Sequence, residues 1–146
     1  GVESKKRVSR IKQVTKAYTF IEQDSSEHRK VICKLLGKTM RNAPDTDIQD
    51  YLYQKAEKNP ELIIDIYTSA DQSLKLLLID GKQKNIIRVQ SGVLMYSDTA
   101  LGVTDEAAIL FLKDPKNKAI YDSIVYEVFG DMKTEDVVVK PKAPKK

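Results

Sequence analysis

"GKQKNIIRVQSGVLMYSD", Gly81 to Asp98, is the stretch that decides the fold. Two apolar and β-branched runs, "NIIRVQ" and "VLMYS", flank the pair Ser91-Gly92. Such runs on either side of a glycine-containing pair predict a β-hairpin over residues 85–98. Almost everything around it carries a helical period. The class is therefore α+β, mostly α, with about six helices and one hairpin.

The helices can be placed by their apolar spacing. Val8, Ile11, Val14, Ala17, Tyr18 and Ile21 recur at three- and four-residue steps, predicting an amphipathic helix near 8–22. Asp24 and Glu27 then fit a capping box for a helix near 26–41 that buries Val31, Ile32, Leu35, Leu36 and Met40. Asp45 or Thr46 can cap the next, carrying Ile48, Tyr51, Leu52 and Ala56. Asn59-Pro60 is a cap followed by proline at the first helical position, and it opens a short helix bearing Leu62, Ile63, Ile66 and Tyr67. Asp71 can cap a helix with Leu74, Leu77 and Leu78, closed by Gly81. Beyond the hairpin, Thr104 can cap "DEAAILFLK", and Asp114-Pro115 opens a last helix with Ala119, Ile120, Ile124 and Val128 inward.

Charge divides the chain further. Residues 1–16 hold six cations against Glu3, a net of +5, and residues 131–146 carry +2. The overall charge is +4, so the middle is mildly acidic. Residues 1–7 are expected as a flexible basic arm. Residues 8–130 are expected as a single compact helical domain, and 131–146 as a disordered Lys/Pro-rich tail. No apolar run approaches membrane-spanning length, so no membrane partner is expected. A lone cysteine, Cys33, excludes an internal disulfide framework and fits a reducing, cytoplasmic setting.

Groups for catalysis do not converge in the sequence. His28 and Cys33 lie about 140° apart around an ideal helix, so they do not form a nucleophile–base pair. No zinc spacing, EF-hand loop or phosphate-binding glycine loop occurs. The expectation is a protein that is not an enzyme, with no cofactor, no metal and no small-molecule substrate.

What remains is a pattern of cations. From Pro60 the order is short helix, turn, helix, hairpin, which is the order of a winged helix-turn-helix. Gln72, Lys75, Lys82, Gln83, Lys84 and Arg88 would decorate its second helix and its wing. Lysines would meet phosphates, and the glutamines could reach base edges. Lys5, Lys6, Arg7 and Arg10 would add a basic arm. Lysine on an exposed hairpin also serves to discourage edge-to-edge strand pairing. Two functions stay open: a DNA-associated protein, or a structural or adaptor protein of an assembly that uses its helical body for protein contacts.

From Asn85 to Asn117 the order of residues resembles the small C-terminal domain of RecA-type recombinases. The shared features are Ile86-Ile87, a hairpin ending in Tyr96-Ser97, Gly102 after an aliphatic residue, and a helix closing with Leu112-Lys113-Asp114. Segments of this style also resemble small uncharacterised phage-encoded proteins. The resemblance implies a compact α/β module that can touch duplex DNA, in a phage-infected bacterium or a virion. The family's ATPase core and phosphate loop are missing, so ATP hydrolysis and strand exchange are not implied.

Overall fold

A computed structural model describes residues 1–130 of the chain. The tail expected over 131–146 lies outside the described residues. The class is the one expected: the described residues hold seven α-helices and one antiparallel sheet. The body expected over 8–130 gathers its contacts into two compact units, one taking in Gly1–Ala70 and the other beginning at Asp71.

The first unit is all helical: α1 Val2–Gln23, α2 Ser26–Leu35, α3 Asp45–Lys58 and α4 Pro60–Thr68. Its core is Ala17, Ile21, Ile32, Cys33, Ile48, Leu52, Ala56 and Ile63, each sealed from solvent. Residues 2–7 are not a separate arm but the first turns of α1. Local chemistry explains most of the boundaries. Asn59 accepts from the Leu62 amide ahead of Pro60, as expected. At α2 the cap is Ser25, whose hydroxyl accepts from His28 N. Asp24, expected in a capping box, points its carboxylate at the His28 ring instead. α2 stops at Leu35, short of the expected 41, because Gly37 takes φ +95°. Lys38 N then donates to Cys33 O and Gly37 N to Lys34 O, the two bonds of a left-handed helix closure.

The second unit holds α5 Gln72–Gln83, β1 Ile87–Gln90, β2 Val93–Tyr96, β3 Thr99–Gly102, α6 Asp105–Lys113, a 3-10 turn Pro115–Asn117 and α7 Lys118–Phe129. The predicted hairpin is present, with Ile87 opposite Tyr96 and Gln90 opposite Val93. Ser91 and Gly92 both take positive φ, +52° and +78°, as a two-residue turn matched to strand twist requires. A third strand, β3, extends the hairpin into a meander of order β1-β2-β3. Its register shifts between Leu94 and Met95. Leu77, Leu78, Ile87, Leu94, Leu101, Ala108, Ile109, Leu112, Ile124 and Val128 form the core.

Gly81, expected to close α5, sits inside the helix, which runs on to Gln83. The closing residue is Asn85, at φ +60°, with Ile86 N donating to Gly81 O. Gly81 has another reason to lack a side chain: a Cβ there would lie 2.7 Å from Ile87 Cδ1.

From α4 onward the order of elements is short helix, turn, helix and antiparallel sheet, the order of a winged helix-turn-helix. α4 packs on α1, α3 and α2, whereas α5 packs on α6, α7 and β1. Ile63 of α4 belongs to the first core, and Leu77 and Leu78 of α5 belong to the second.

Gly102 gives a direct test of the second unit. A Cβ there would meet Ala107 Cβ at 2.8 Å and Ala108 N at 2.9 Å, and backbone cannot step aside cheaply. Gly102→Ala is expected to lower stability by about 1–3 kcal/mol in urea unfolding. An unchanged midpoint would show that β3 and α6 are not so closely apposed.

Candidate nucleic-acid interface

The cations expected on the wing do not converge. On α5, Leu76, Leu77, Leu78, Asp80 and Gly81 are all buried, so only a narrow strip faces outward. Lys75 and Gln83 are exposed on that strip, while Gln72 and Lys82 are half-buried. Lys82 is held by Asp105, Nζ to Oδ1 2.8 Å. Lys84 donates to the carbonyl of Val128 and lies 5.9 Å from the Phe129 ring centroid. Arg88 is exposed opposite Met95, on the sheet face turned away from Ile87 and Leu94. Of these four cations, only the side chains of Lys75 and Arg88 make no ion pair or hydrogen bond among the described residues. Two lysines are therefore engaged within the second unit, and two other cations look outward from different elements.

The N-terminal cations are arranged differently. Arg29 of α2 donates from Nε to Ile21 O and from Nη2 to Glu22 O, the carbonyls at the end of α1. Its Nη1 also reaches Asp45 at the start of α3, 3.1 Å away. Near the other end, Arg10 donates to Glu57 O and Lys58 O at the end of α3. Tyr18 bonds Glu57 at 2.7 Å and meets the Tyr53 ring edge-on. These contacts set α1 antiparallel to α3.

The two helices differ in length, at 22 and 14 residues. At 1.5 Å per residue, α1 outruns its partner by about 12 Å. The unmatched end is the basic one. Every residue from Gly1 to Lys12 is exposed, including the apolar Val8 and Ile11. Lys5, Lys12 and Lys16 share one side of the helix, and Lys6, Arg7 and Arg10 the other, by their 100° steps. Lys5, Lys6, Arg7, Lys12 and Lys16 make no ion pair among the described residues. The N-terminal end of the helix dipole adds partial positive charge in the same place.

Two further clusters escaped the sequence reading. Asp24 accepts from Tyr67 OH at 2.8 Å and bonds His28 Nδ1 at 2.7 Å, with both carboxylate and imidazole almost wholly buried. The trio ties the α1–α2 corner to α4. Tyr67's phenol is pushed strongly up by burial and by Asp24. Elsewhere, Tyr51 of α3 has two ammonium groups near its ring, those of Lys38 and Lys55. Lys55 is four residues away on the same helix face, and that half of the signal is readable by spacing. Among the described residues no group of three or more His, Cys, Asp or Glu is set to hold a metal. No protein-family model, curated protein or solved structure matches the chain.

Cys33 is sealed in the first core, and burial pushes its thiol up to about 11. A raised thiol pKa adds stability below the unfolded value near 9, and that stability is lost as pH rises toward 11. The urea midpoint should fall across this window, and Cys33→Ala should flatten the fall. An equally steep fall in the Cys33→Ala variant would contradict the assignment.

Proposed function

We propose that this protein is a non-enzymatic nucleic-acid-binding protein that engages the phosphate backbone through the projecting half of α1. The observation behind this reading is an exposed helix end carrying cations that no acidic side chain neutralises among the described residues. Phosphate binding rests mainly on such charges and on the counterions they release. Lys5, Lys6, Arg7, Lys12 and Lys16 are the principal contacts. Arg10 sets the direction of the helix through the α3 carbonyls. Lys75 and Arg88 are secondary contacts, because each stands exposed but alone. The mildly acidic residues 17–130 disfavour adhesion elsewhere. The contacts proposed are all to phosphate, which carries no sequence information, so binding tolerates sequence. The resemblance to phage-encoded proteins makes DNA the first substrate to try.

One observation favours a second reading, that of an adaptor in an assembly. Val8 and Ile11 are 51% and 56% exposed on the same helix, and an apolar pair there suits a protein partner.

Fluorescence anisotropy with labelled duplex and single-stranded DNA at about 50 and 200 mM salt separates these readings. Five phosphate contacts give a log–log salt slope of about −4 to −5 on duplex. The combined variant Lys5→Gln, Lys6→Gln, Arg7→Gln, Lys12→Gln should leave a slope near −1 and weaken binding at least about 100-fold at low salt. Lys82→Gln with Lys84→Gln should change little. Salt-insensitive binding, or none, would overturn the nucleic-acid reading. Concentration-dependent assembly abolished by Val8→Ser with Ile11→Ser would support the adaptor.

A further inference from the structure

We infer that Tyr51, with Lys38 and Lys55, is a stacking site for an unpaired base, so that the preferred ligand is a single strand. This rests on the nucleic-acid reading and deepens it. The Nζ atoms of Lys38 and Lys55 lie 5.8 and 5.6 Å from the centroid of the same ring. Two ammonium groups beside one aromatic ring make its surroundings cationic, which suits the phosphate next to a stacked base. Neither lysine makes an ion pair among the described residues, although Asp47 and Asp50 stand within a turn of Tyr51 on α3. Asp50 is engaged instead by Gln54.

The ring is held firmly. Tyr51 is half-buried, packs against the first core, and follows Ile48 and precedes Leu52, both fully buried. A firmly held aromatic that is not wholly buried is what base stacking requires. Its phenol is neutral at physiological pH, as a phenol ordinarily is, and burial pushes it further up, so the ring does not repel a phosphate. An exposed ammonium gains less from a ring face than a stacked base does. An arriving base therefore displaces one ammonium, and its flexible four-carbon stem carries the charge to the adjoining phosphate.

The site is separate from the α1 cations. Tyr53 is the α3 tyrosine that meets α1, through Tyr18, and Tyr51 lies about 200° around the helix from it. The two can be tested apart.

The test uses the full chain and three labelled probes of equal length: an oligo-dT strand, an abasic deoxyribose-phosphate strand, and a duplex. The wild type is expected to prefer oligo-dT over the abasic strand. Tyr51→Leu should weaken oligo-dT binding about tenfold and leave the abasic strand and duplex unchanged, while Tyr51→Phe retains the wild-type preference. Lys38→Gln with Lys55→Gln should reduce the single-strand salt slope by about 1.4. Urea unfolding of each variant checks the fold. Equal affinity of the wild type for oligo-dT and the abasic strand overturns the inference. So does a Tyr51→Leu variant that is folded and unchanged, or one that loses all probes alike. Duplex binding by the wild type with an inert Tyr51 defeats this site alone. Absence of binding to any probe defeats the nucleic-acid reading with it.

Discussion

The first unit depends on where the Arg29 guanidinium sends its hydrogen bonds. A helix ends with carbonyls that have no partner of their own. Arg29 meets two of them at the end of α1, Ile21 O and Glu22 O, and ties the same group to Asp45 at the start of α3. A buried cation without such partners would be strongly destabilising. Asp45 answers in kind: the Gln49 amide, then Ser26 and Arg29, hold its carboxyl below the usual range. With the end of α1 fixed against the start of α3, the helices run antiparallel. The difference in their lengths then appears entirely at the N-terminus of α1.

That constraint links covalent length to electrostatics. The free end of α1 carries the highest density of cations in the described chain, and the reason is physical. A helix face packed on a core must be apolar, but a segment exposed among the described residues has no such requirement and can carry charge on every side. The same logic accounts for the wing. Lys82 pairs with Asp105, and Lys84 donates to the Val128 carbonyl beside the Phe129 ring, so both are already engaged within the second unit. Long lysine stems cover apolar surface well, so a cation near a hairpin can be packing material rather than a contact waiting for a phosphate.

Much of the helical framework was legible. Asn59-Pro60 and Thr104 act through short-range hydrogen bonds that sequence spacing encodes, and each caps its helix as expected, whereas Asp114 caps only the 3-10 turn Pro115–Asn117 and α7, expected to open at Pro115, begins at Lys118. The hairpin turn was legible for the same reason. β3 was not, since "TALG" contains one β-branched residue and ends in a glycine that exists for α6 to approach. The helix ends at Gly37 and Asn85 were missed because a left-handed closure needs one residue of unusual φ and leaves no periodic trace. The site was legible as a set of cations but not as a geometry. Lys82 meets Asp105 across 23 residues and Lys84 meets Val128 across 44, and no local pattern reports such pairings. Nor could spacing show that α4 and α5 serve different cores.

The claim on which the functional account rests is that the exposed end of α1, and not the α5–β1 region, meets the ligand. Amide chemical-shift mapping of the isotope-labelled full chain during titration with a short oligo-dT strand tests it most directly. The account predicts graded shifts from Lys5 to Lys16 and around Tyr51, with the amides of Lys82 to Gln90 nearly still. Shifts centred on Lys82 to Gln90 with α1 silent would contradict it, and so would a spectrum that does not move.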